Sequence, residues 1–178
     1  MKPRLLIVPL LVLFLTTFAQ AQTEMERQTL KGLTNFLVLI ESPEQTEAQK
    51  SGLSQEQIRT QVELRLRNAH IPVTNYDDWM KDKNPPRLPL ISVTLHLFQH
   101  DKLPEMYAFS LRVELRQEVY LKAIPLRDQS GSITYATTWS TSMTGMVGSS
   151  NLSSIRSDIL DRVDKFINDY LAANPTKP

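Results

Sequence analysis

The chain of 178 residues contains no cysteine. That excludes disulfides, thiolate metal sites, thiol redox chemistry and lipid anchoring at a cysteine. Neither a Gly-x-Ser-x-Gly nucleophile elbow nor a lysine in P-loop order is present. No internal repeat recurs at a period of about 20–50 residues. After the N-terminus, no apolar run is long enough to cross a bilayer.

The N-terminus itself reads MKPRLLIVPLLVLFLTTFAQAQ. Lys2 and Arg4 form a basic start, Leu5–Leu15 is an apolar stretch of eleven residues, and Ala19-Gln20-Ala21 offers small residues at a cleavage site. The pattern predicts a secretory signal peptide over residues 1–21, cut before Gln22, and a periplasmic or secreted mature chain. The mature chain would carry 18 Lys/Arg against 19 Asp/Glu, a net charge of −1 where the full chain has +1. No nucleic-acid footprint is therefore expected.

The expected organisation is a flexible segment over 22–31, one domain over 32–174, and a tail over 175–178. Phe36–Ile40 is apolar on both parities, as in a strand well inside a sheet. Ser42-Pro43-Glu44-Gln45 resembles a helix start, and the short helix it opens should stop at Gly52. Ser54 with Gln57 forms a capping box, stapled by Leu53 and Ile58, for a helix to about Asn68. Ile58, Val62, Leu66 and Ala69 share its apolar face. His70–Thr74 reads as a short strand, and Pro72 suits a strand start or an edge. Tyr76–Met80 predicts one helical turn before the proline-rich loop Lys81–Pro89.

Three alternating strands follow. Ile91, Val93, Leu95 and Leu97 oppose Ser92, Thr94, His96 and Phe98. Tyr107, Phe109, Leu111, Val113, Leu115 and Val119 oppose Ser110, Arg112, Glu114, Arg116 and Glu118. Ile133, Tyr135, Thr137 and Trp139 oppose Thr134, Ala136, Thr138 and Ser140 in a strand ending near Thr141. A helix capped by Ser150 or Asn151 then runs to about Ala173. The order β-α-β-β-β-β-α predicts an α+β two-layer sandwich. Its sheet has about five strands, mixed but mostly antiparallel, with two main helices on one face.

The other sheet face would carry Arg112, Glu114, Arg116, Glu118, Ser92, Thr94, His96, Thr134 and Thr138. Such a face is either solvated or a binding surface. Tyr76 and Trp79, in a proline-bounded segment, would be either an anchor for a partner or a plug over the core. Gly148, Ser149 and Ser150 precede a helix and could hold an anion with help from Arg156, or could form a flexible loop that ends in a cap. His96 and His100 lie ~13 Å apart along a strand, too far to share a metal ion. No catalytic residue, metal or cofactor is expected.

The strings GLSQEQIRTQVELRLRNAHIPV, YAFSLRVELRQEVYL and ATTWSTSMTGMVGSSNLSSIRSDILDRVDKFINDYLAANP resemble a family of small exported bacterial proteins of unknown function. The resemblance extends from Gly52 to Pro175. It implies a bacterial envelope setting and no catalytic assignment. The general shape is also similar to envelope auxiliary proteins of lipid transport, an analogy at the level of fold. The reading is then a non-enzymatic interaction module whose partner is an envelope protein or lipid. The alternative is a carrier that holds a small amphiphile between sheet and helices.

Overall fold

The computed structural model describes residues 24–42, 46–120 and 133–175. The expected signal peptide, the Pro43–Gln45 helix start and the last three residues of the expected tail lie outside the described residues.

The elements in chain order are β1 (Phe36–Glu41), α1 (Thr46–Lys50), α2 (Gln55–Asn68), β2 (Val73–Thr74), α3 (Tyr76–Lys81), β3 (Leu90–His100), β4 (Leu103–Tyr120), β5 (Ile133–Gly148) and α4 (Ile155–Ala173). A 3-10 turn, Ser149–Ser154, joins β5 to α4. The strands form one sheet in the order β2-β1-β3-β4-β5. β1 is parallel to β2 and β3, and the β3-β4 and β4-β5 pairs are antiparallel. The fold is the expected α+β two-layer sandwich.

Local signals act as chemistry dictates. Ser54 accepts from the Gln57 amide and its hydroxyl donates to the Gln57 side chain, which caps α2. Leu53 and Ile58 of the staple are both buried. α1 stops at Gly52, whose φ of +77° is a left-handed conformation that costs glycine little.

α2 and α4 cover one sheet face. Phe36, Val38 and Ile40 of β1, Ile91–Leu97 of β3 on one parity, and Tyr107–Leu115 of β4 on one parity meet Ile58, Val62, Leu66, Ile159, Val163 and Phe166. Phe166 stands edge-on to both Trp139 and Phe36, with ring centroids 5.3 and 5.6 Å away. Cutting such a buried ring to alanine costs about 3–5 kcal/mol. Arg65 of α2 and Asp164 of α4 make a two-bond ion pair on the surface, at 2.7 and 2.6 Å, which ties the two helices together.

Five expectations are corrected. Residues 24–31 do not form a loose segment: a helical turn over 24–28 leads into Leu30, which is fully buried. Asn174 fastens this segment by donating to the Leu30 carbonyl and accepting from the Gly32 amide. The second strand is only Val73–Thr74, because His70 adopts φ +58° and ends α2. There the His70 and Ile71 amides donate back to Arg67 and Leu66. β5 does not end near Thr141 but continues to Gly148, since β4 extends far enough to pair with it as far as Met106. The last helix opens with a 3-10 turn and has no side-chain cap. Finally, the ladder between β4 and β5 slips by one residue: Leu115 pairs with Trp139, but Arg116 pairs with Thr137. That bulge at Thr138 reverses the parity of the first half of β5. Tyr135 and Thr137 therefore join the outer face, and Thr134 and Thr138 leave it.

Candidate functional site

The outer face of β4 carries the charged row. Reading across the sheet, His96, Ser110 and Thr144 share one rung, and Thr94, Arg112 and Ser142 the next. Ser92, Glu114 and Ser140 form a third rung, and Leu90, Arg116 and Thr137 a fourth. Glu118 pairs with Tyr135 beyond them. Alternate side chains along the strand stand ~7 Å apart. Arg112 is the most open of the row and reaches Glu114 at 3.6 Å, whereas the Glu114 side chain is only 18 % exposed.

The segment between β2 and β3 crosses this same face. Arg87 pairs with Glu118 at 3.3 Å, and the Tyr135 hydroxyl donates to the Leu88 carbonyl at 3.2 Å. Leu37, on the outer parity of β1, is buried although it lies outside the core beneath the helices, and Ser92 is buried as well. The outer face is thus divided: its β1 side is covered, and its β4–β5 side is open. Burial and the Glu118 carboxylate both raise the Tyr135 hydroxyl above its ordinary pKa, against the Arg87 charge.

Tyr76 and Trp79 belong to α3, which Asn75 caps by accepting from the Asp77 and Asp78 amides. Arg59 of α2 lies over the Tyr76 ring at 4.3 Å. The Trp79 indole donates to the Pro86 carbonyl at 2.9 Å, which closes the loop on itself. Both aromatic rings are half-buried. They lie beyond β1, while Arg112, Glu114, Arg116 and His96 lie on β3 and β4. The loop links the two groups through Arg87 and Glu118.

At the upper end of the open side, Phe98, Ala108 and Met146 share one rung across three strands. Phe98 and Met146 are exposed and line a shallow groove of about 410 Å³ with Phe109, Ser110 and Gly145. The alternation in β3 placed Phe98 on this face, but only the register aligns it with Met146.

The structure does not bring Arg156 to Gly148, Ser149 and Ser150, the residues that the sequence offered for an anion. Gly148 ends β5, and the Ser149 hydroxyl donates to the Glu105 carboxylate at 2.6 Å, a negative charge where an anion would sit. Arg156 points elsewhere. Its guanidinium donates to the Ser51 carbonyl at 3.1 Å and fills the space that a Cβ on Gly52 would need. Among the described residues, no three His, Asp or Glu side chains group as metal ligands. No described helix is long and apolar enough to cross a membrane.

Sequence reasoning missed a buried carboxylate. Asp169 of α4 accepts from the Trp139 indole and from Lys165, with Arg27 at 3.6 Å. Burial alone would raise its pKa. The hydrogen bonds from Lys165 and Trp139 and the charges of Lys165 and Arg27 outweigh burial and hold it below the usual value. A signal was present, since Asp169 follows Phe166 by three residues and so interrupts the apolar face of the helix.

No protein-family model matches this chain, and no curated protein matches its sequence.

Proposed function

We propose that this chain is an exported bacterial envelope protein that acts as a non-catalytic interaction module. Its partner, an envelope protein or lipid, docks on the open side of the outer sheet face, with the 76–89 segment forming the rim. The observation that carries the reading is the combination on that face. Arg112, Glu114 and Arg116 form an alternating charge row beside the apolar rung Phe98–Ala108–Met146. An apolar patch beside oriented polar groups is the usual composition of a docking surface. Support for export comes from the sequence of residues 1–21, and support for the envelope setting from the resemblance across Gly52–Pro175.

The alternative, a carrier, needs room between sheet and helices. Against it stands the edge-to-face cluster of Phe36, Trp139 and Phe166 in that layer, with each ring at most 1 % exposed.

The test is a photo-crosslinking residue at Arg112 in the protein expressed in its own host, with capture followed by mass spectrometry. A single envelope protein or lipid, lost in an Arg112→Glu/Arg116→Glu variant that melts normally, is the expected result. Capture that is unchanged by the charge reversal would remove this face from consideration. A lipid recovered from crosslinks between α2 and α4 instead would favour the carrier.

A further inference from the structure

The two edges of the sheet are built differently. β2 presents two residues behind Pro72, so that edge is short and begins with a residue that has no amide donor. β5 presents 16 residues, ITYATTWSTSMTGMVG, without one charge or proline. Proteins ordinarily place charges on edge strands and keep interior strands neutral. Here the arrangement is inverted: the interior strand β4 carries Glu105, Arg112, Glu114, Arg116 and Glu118, and the edge carries none. The Thr138 bulge interrupts the lower part of β5, but Trp139–Gly148 continues in regular register with β4. Among the described residues, no other backbone–backbone hydrogen bond reaches this strand. The Thr138 carbonyl at the bulge accepts from the Thr29 hydroxyl at 3.2 Å, so the open edge is the stretch above it, where alternate residues of Trp139–Gly148 turn an amide and a carbonyl away from β4.

We propose that this edge pairs with the same edge of a second copy. The upper half of β5 runs antiparallel to itself across a two-fold axis at Ser142, which makes a continuous ten-stranded sheet. The strand is self-complementary in that register. Ser142 meets its own symmetry mate, and Ser140 meets Thr144 of the second copy; all three are exposed on the outer face. Hydroxyl pairs of this kind are favourable across strands, and no like charges are brought together. Pairing two neutral edges satisfies the open backbone groups of both at once. It also places the two charged outer faces side by side on one surface.

The inference does not depend on the docking reading, and its test contains no partner. The mature protein is sedimented over concentrations from about 1 µM to 1 mM. The expected result is a monomer–dimer equilibrium, weakened at least about tenfold by Ser142→Lys/Thr144→Lys, which sets like charges opposite each other. A monomer across the whole range overturns the proposal, and so does a dimer that the lysines leave unchanged. Should the double variant melt early, single cysteines decide in this otherwise cysteine-free chain. Ser142→Cys should oxidise to a linked dimer and Asn68→Cys on α2 should not. Failure of the Ser142→Cys variant to link overturns the proposal as well.

Discussion

The Trp139 indole and the Lys165 ammonium donate to the same oxygen of Asp169, at 3.0 and 2.9 Å. A strand of the sheet and the last helix are thereby joined through one buried charge. Because the folded-state pKa of Asp169 is lowered, its contribution is fully present above the ordinary carboxylate range and is lost as pH falls through the lowered value. Asp169→Asn should cost about 1–3 kcal/mol at neutral pH. The gap between the two proteins should close in acid, and urea melts at pH 7 and pH 3 would measure it. A gap independent of pH would show that the charge is not what matters.

His70 should be replaceable with profit. Its φ of +58° is a strained conformation for a side chain with a Cβ, and it ends α2 in the position that glycine favours. His70→Gly is expected to stabilise the protein by roughly 0.5–1 kcal/mol, after the greater freedom of glycine in the unfolded chain is set against the relief. Thermal melting would detect the rise, and a fall in melting temperature would contradict it.

Gly52 behaves oppositely. It combines φ +77° with the Arg156 guanidinium in the place of a Cβ. Gly52→Ala should lose about 1–3 kcal/mol, since the new methyl group displaces Arg156 from Ser51 as well as straining the turn. Arg156→Ala in the same background should recover part of the loss, a coupling that a double-mutant cycle measures.

Trp79 closes the loop between β2 and β3 on itself. Without the indole bond to Pro86, the segment should open more often at a stability cost of about 1 kcal/mol. Trypsin cleavage after the exposed Lys81, Lys83 and Arg87 should then be faster in Trp79→Ala. An unchanged cleavage rate would show that other contacts hold the loop.

Much of the architecture was legible because it depends on neighbours in sequence. The Ser54 box, the stop at Gly52, the alternation in β3 and β4 and the apolar face of α4 are each decided within a few residues. Errors arose where a distant partner decides. Gly148 reads as loop until β4 is seen to be long enough to pair with it. The Arg156 side chain could reach several places, and Gly52, far away in the chain, is the one that leaves room. Leu30 reads as part of a loose start, yet its burial comes from Asn174 and the end of α4.

The sequence by itself determined which residues can be strand, helix or turn, that the chain has no thiol chemistry, and that β4 has one apolar and one charged face. Those properties follow from side-chain size, charge and backbone preference, which each residue carries wherever it sits. Only the tertiary structure decided that the end of the 76–89 segment meets Glu118 and Tyr135 on the outer face, and that the uncharged strand is an edge. It also decided the face of Tyr135 and Thr137. A one-residue slip opposite Leu115 exchanges the two faces of a strand, and that slip is a matter of pairing between strands, not of either strand alone.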